Sequence, residues 1–95
     1  MSQTVIPTPN YKSYSSVNGG VNCRVDDPAK QGRAAMWIYA AGAGTVVLRP
    51  PGMGADSSRD DTVTLIAGKD LPLEFEQIVT GTATNVTVFW KRYGQ

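Results

Sequence analysis

Short apolar runs separated by turn residues at roughly ten-residue spacing constrain this chain more than any other feature. Ala35-Met36-Trp37-Ile38-Tyr39-Ala40 is the first, and Thr45-Val46-Val47-Leu48-Arg49 the second. Thr62 to Ile66, Leu71 to Val79 and Val86 to Trp90 follow. Each is too short for a helix, and most alternate at period two. Val63 and Leu65 share a face, as do Val86, Val88 and Trp90. Trp37 and Tyr39 lie opposite Met36 and Ile38, so both faces of that strand are expected to be covered. The pattern predicts an all-β chain: a small antiparallel β-sandwich or barrel, jelly-roll-like.

The connections refine the expectation. Gly42-Ala43-Gly44 is read as a tight turn that makes a hairpin of the first two strands. Pro72 removes a ladder donor, which places its strand at an edge or a bulge. The alternation changes phase at Gln77-Ile78-Val79, the mark of a bulge or bend.

Residues 1–33 differ from the rest. Val5, Ile6, Tyr11, Tyr14, Val17, Val21 and Val25 are scattered among Pro, Ser, Asn and Gly. The predicted division is an extended N-terminal arm and lead-in over 1–33 and a β-sandwich domain over 34–95. A short strand near Val21 to Val25 is allowed. Ordering a residue costs about 1–2 kcal/mol of backbone entropy. The arm, Met1 to about Asn22, is therefore expected to order only against a neighbouring subunit or another surface. The interface residues expected from this reading are Val5, Ile6, Tyr11, Tyr14, Trp37 and Tyr39.

The chemistry expected is sparse. The chain has 95 residues, no histidine, one cysteine and a net charge of +1 from nine basic and eight acidic residues. Without histidine the commonest general base and metal ligand are missing, and no enzyme is expected. Charges alternate locally, as at Arg24-Val25-Asp26-Asp27 and Arg59-Asp60-Asp61, so no basic patch for nucleic acid is present. Lys91 and Arg92 are read as a solvated strand end. Cys23 cannot form an intrachain disulfide. The N-terminus does not read as a signal peptide, and no run approaches the roughly 20 apolar residues of a membrane helix. The expectation is a soluble protein made in the cytoplasm, without cofactor or membrane partner.

Glu74 and Glu76 are expected on one sheet face, about 6–7 Å apart, within the range of glycosidase pairs. Exposed alternating glutamates are ordinary on such a strand, so exchanging both for Gln is expected to change stability by less than about 1 kcal/mol. Asp56, Asp60 and Asp61 gather in one loop without EF-hand spacing and are read as solvated. Asn85-Val86-Thr87 matches a glycosylation sequon but sits at a turn-to-strand junction. The glycine pairs lack the Lys and helix of a phosphate loop.

From about Asp27 to Trp90 the layout resembles the small spike-base proteins of tailed-phage and gene-transfer-agent heads. The resemblance rests on Asp26-Asp27-Pro28, the strand through Ala35-Met36-Trp37-Ile38-Tyr39, the glycine turn into Thr45-Val46-Val47-Leu48, and Thr62-Val63-Thr64-Leu65 followed by Leu71-Pro72-Leu73. It ends on the threonine-rich turn Ile78-Val79-Thr80-Gly81-Thr82-Ala83-Thr84-Asn85-Val86. It departs where Ala40-Ala41 replaces a more usual Val-Gly, and in the longer loop from Pro50 to Asp61. The resemblance implies a virion structural role: a spike-base or head-decoration subunit, a cyclic homo-oligomer on the major capsid protein or beneath a spike or fibre protein. It supplies no catalytic residues. The competing reading is a small carbohydrate- or ligand-binding β-module that uses the aromatic strand faces.

Overall fold

A computed structural model describes residues 10–90. Within them the chain forms β1 (Tyr11–Ser16), β2 (Val21–Asn22), a single helical turn α1 (Cys23–Asp26), β3 (Ala35–Gly42), β4 (Gly44–Arg49), β5 (Asp61–Leu65), β6 (Lys69–Phe75), β7 (Gln77–Gly81) and β8 (Thr84–Trp90). Two four-stranded antiparallel sheets pack face to face, in the orders β1-β8-β3-β6 and β2-β7-β4-β5. This is the jelly-roll order. Apart from β4 and β5, each strand lies in a different sheet from its sequence neighbour.

That topology corrects three expectations. β3 and β4 are not a hairpin: Gly42 to Gly44 is a corner where the chain leaves one sheet for the other. A Cβ on Gly44 would lie 2.5 Å from the Ala83 amide nitrogen, and one on Gly81 would lie 2.8 Å from the Thr45 carbonyl oxygen. These glycines let two corners touch, a close approach that a side chain would block. The phase change after Phe75 is likewise a sheet change, because Glu76 separates β6 in one sheet from β7 in the other. Pro72 does lie on an edge strand, β6.

The third correction concerns the arm. Residues 11–22 are not an arm seeking a foreign surface. Tyr11 to Ser16 pairs with β8, and Val21 and Asn22 pair with β7. Val17, Val21 and Cys23 join the buried core with Ile38, Val46, Leu48, Phe75, Ile78, Val86, Val88 and Trp90. Sequence spacing hid this because β1 carries Lys12, Ser13, Ser15 and Ser16, and backbone pairing rather than apolar burial holds it. Val5 and Ile6 lie outside the described residues. The expected face assignments of Val86, Val88 and Trp90, and of Leu65, hold: all four are buried.

Candidate interaction face

The outer face of the β1-β8-β3-β6 sheet concentrates the exposed aromatic side chains. Tyr11 pairs with Phe89, Phe89 with Trp37, and Trp37 with Pro72. Register alone therefore lines up one apolar row across all four strands. The Tyr11 and Phe89 rings stand 6.1 Å apart at 42°, within the range of favourable aromatic pairs. The adjacent row is polar: Ser13 pairs with Thr87, Thr87 with Tyr39, and Tyr39 with Asp70. Ser13 Oγ and Thr87 Oγ1 are 3.0 Å apart.

Trp37 is 39% exposed and Tyr11 52%, so the face of β3 expected to be covered is open to solvent. The Trp37 indole is held in place, its Nε1 donating to Asp70 Oδ2 at 2.8 Å. Beside it lies a groove of about 650 Å³, lined by Trp37, Tyr39, Phe89, Met36 and Asp70 among others. Among the described residues that line the groove, Asp70 is the one with a charged side chain, a poor match to a phosphate backbone. The face thus combines large flat apolar area with a few fixed polar atoms, the composition of interface cores and ligand clefts alike.

Of the residues expected at an interface, the structure brings Tyr11, Trp37 and Tyr39 onto this face. It separates Tyr14, which pairs with Val86 on the inner side and packs against the core. Its hydroxyl donates to Asp26 Oδ2 at 2.8 Å. Burial first, then the neighbouring Asp26 carboxylate, pushes the Tyr14 pKa far above the ordinary phenol value. Tyr14 thus has a structural role within its own sandwich, tying β1 to Asp26. Of the aromatic residues that the ligand-binding reading would use, Trp37, Tyr39 and Phe89 lie on this face, while Trp90 is buried. The alternation of Phe89 with the inward Val88 and Trp90 is the signal that marks it.

The acidic residues are structural as well. Glu74 is exposed on β6, but Glu76 is buried at the sheet change, so the two do not form a pair facing solvent. Glu76 accepts from the Gly52 amide at 2.7 Å, the Gly54 amide at 2.8 Å and Arg24 Nε at 3.2 Å. Burial opposes its ionisation, yet the two amides and Arg24 outweigh it and hold its pKa below the usual glutamate value. The carboxylate thereby pins the Pro-Pro-Gly loop to the N-terminal segment. Glu76→Gln is expected to cost about 1–3 kcal/mol, because one amide donor loses its acceptor in a buried setting. Glu74→Gln is expected to stay within about 0.5 kcal/mol. Urea denaturation of the two single variants checks this, and equal effects would contradict it.

Asp60 is not a solvated loop residue either. It accepts from Arg49 at 2.8 Å and 2.9 Å, and this guanidinium lowers its pKa. Among the described residues, no three of His, Cys, Asp and Glu gather at metal-binding distance. Burial pushes the Cys23 thiol up to about 12, which makes it a packed, unreactive group. Comparison with family models, characterised proteins and solved structures gives no match.

Proposed function

We propose that this chain is a structural subunit of a phage-type virion, a spike-base or head-decoration protein made in the host cytoplasm. It works by assembling with copies of itself and docking on the major capsid protein or on a spike or fibre protein. The observation that carries the reading is the aromatic row Tyr11–Phe89–Trp37 on the solvent side of a closed, well-packed sandwich. Cross-strand pairing and one hydrogen bond give Trp37 a modest share in its own sheet, but no core burial accounts for a tryptophan left 39% exposed. Trp and Tyr in such positions are the residues that anchor protein interfaces. The jelly roll is an architecture of viral capsid and lectin domains alike, so the face and not the fold separates the possible roles.

The test is a Trp37→Ala variant compared with wild type in sedimentation with particle shells and in solution mass. The variant is expected to stay folded, since Trp37 lies outside the core. Its attachment or assembly is expected to weaken about 30-fold or more, the effect of removing an interface anchor worth about 2 kcal/mol. Unchanged attachment and assembly would remove the basis for the proposal.

The groove beside Trp37 favours a second reading, a carbohydrate- or ligand-binding module. Tyr39 and Asp70 offer polar groups next to a flat aromatic surface. Binding on a glycan array that Trp37→Ala abolishes, in a protein that stays monomeric and binds no shell, would establish that reading in place of the first.

A further inference from the structure

We propose that the edge of β1 that no strand among the described residues pairs with pairs with β1 of a second copy, in antiparallel register centred on Ser13, so that two sheets join into one. The inference rests on the assembly reading for its partner and goes beyond it in naming the strand and the register. Its first support is the direction of the backbone groups. Trp90 N donates to Asn10 O at 2.7 Å, and Tyr11 lies opposite Phe89. Asn10 and Trp90 are therefore a hydrogen-bonded pair. In an antiparallel ladder such pairs alternate with pairs whose backbone groups point away from one another. Lys12, Tyr14 and Ser16 consequently turn their N–H and C=O groups toward β8. Tyr11, Ser13 and Ser15 turn theirs outward. The 3.0 Å approach of Ser13 Oγ to Thr87 Oγ1 fits the closer, non-hydrogen-bonded pairing at that position.

The second support is self-complementarity. Three outward residues spaced two apart have Ser13 at their centre. A two-fold axis there sets Ser13 against Ser13 of the second copy and Tyr11 against its Ser15. All the outward N–H and C=O groups of these residues are then used, for about six backbone hydrogen bonds. Registers centred on Tyr11 or Ser15 leave some of them unmatched. On the inner side, Lys12 comes opposite Tyr14 of the second copy. Tyr14 is bonded to Asp26, and Lys12 already lies 3.7 Å from its own Asp26 and 5.6 Å from its own Tyr14 ring. The register therefore sets cation against aromatic ring and carboxylate, with no like charges directly opposed.

The third support is the contrast with the other edges. β6 carries Pro72 together with Lys69, Asp70 and Glu74, the devices that blunt an edge. β2 is two residues long and runs into the helical turn. β5 opens on Asp61 directly after Asp60 and has five residues. β1 has six residues and no proline, and five of the six keep one constant register with β8. Among the described residues it is the longest edge that lacks a proline. The aromatic row ends on it at Tyr11, so pairing would carry that row from one copy to the next.

Three single variants test the proposal, with sedimentation of the wild type over a concentration series reaching about 1 mM. The wild type is expected to move from a mass of 10.2 kDa toward twice that value. Ser13→Pro removes an N–H that no strand among the described residues uses, a position where an edge strand tolerates proline. It is expected to keep the wild-type circular dichroism spectrum while self-association weakens about 30-fold or more. Ser13→Cys places two thiols on residues about 5.5 Å apart at Cα, within disulfide range. It is expected to form a covalent dimer under mild oxidation at least ten times faster than Ser15→Cys, whose counterpart faces Tyr11 instead. A wild type that stays monomeric throughout, a Ser13→Pro dimer of undiminished strength, or equal cross-linking at both positions would each overturn the pairing. Shell attachment, which the Trp37 face governs, is read in the same samples, so loss of the pairing is distinguishable from loss of the assembly role.

Discussion

Asp27→Ala is expected to lower stability by about 3–5 kcal/mol, the range for stripping one partner from a buried ion pair. Asp27 is fully buried and is the centre of a small network. Its carboxylate accepts from the amides of Ala29 at 2.9 Å, Gln31 at 3.3 Å and Arg33 at 2.9 Å. It also receives Arg33 Nε at 2.9 Å and a second guanidinium nitrogen at 2.8 Å. Alanine would leave the amides unanswered and weaken the hold on a largely buried guanidinium. Such a loss is a large share of the roughly 5–15 kcal/mol that holds a domain folded. The same group predicts a pH dependence. The Arg33 guanidinium and the amides hold the Asp27 carboxyl well below the usual carboxylate range. A depressed folded-state pKa contributes stability fully above the unfolded value near 3.9, and that contribution is lost as pH falls toward the folded value. Wild-type urea midpoints are therefore expected to fall steeply between about pH 5 and pH 2. The Asp27→Ala midpoint starts lower and changes less over that window. Parallel curves for the two proteins would show that Asp27 is not the titrating group.

Burial patterns in the sequence reveal the sandwich but not its wiring. Where alternation is apolar, as in Val86, Val88 and Trp90, the strand and its inward face can be read directly, because one face must leave water. Corners look like hairpin turns because both need glycine. Gly44 and Gly81 are there for close approach between two chain crossings, a non-local requirement that spacing cannot express. β1 escapes notice for the opposite reason: it contributes little apolar area, and its place is set by pairing with β8. The aromatic face was half legible. Trp37 and Tyr39 share a strand, so period two puts them together. That Tyr11 and Phe89 stand in one row with Trp37 comes only from register, which needs the fold. Glu76 reads as solvent-facing because its partners, Gly52 and Gly54, lie on a remote loop, and Asp27 gives no sign of its network because its partners come from a turn that folds back on itself. The phase change after Phe75 was the one local sign that Glu76 sits at a sheet change.

Trp90 ties these non-local features together, and Trp90→Ala is expected to cost about 3–5 kcal/mol, as for other large core aromatics. Its side chain is 1% exposed, among the largest in the core. It closes β8 against Ala35 of β3, and its indole Nε1 donates to the Cys23 carbonyl at 3.0 Å and the Arg33 carbonyl at 3.2 Å. One side chain thus holds both ends of residues 23–33, the stretch that carries α1 and the Asp27 network. Trp90→Phe separates packing from hydrogen bonding. It keeps most of the apolar volume and leaves the two carbonyls without this donor, so a smaller loss of about 1–3 kcal/mol is expected. That loss should appear first as faster amide exchange over residues 23–33, because these residues lose their tether while the sheets keep their pairing. If Trp90→Phe loosens the sheets and residues 23–33 to the same degree, the indole is packing material and not a tether. If Trp90→Ala leaves a cooperative transition within about 1 kcal/mol of wild type, the core does not depend on it as the structure implies.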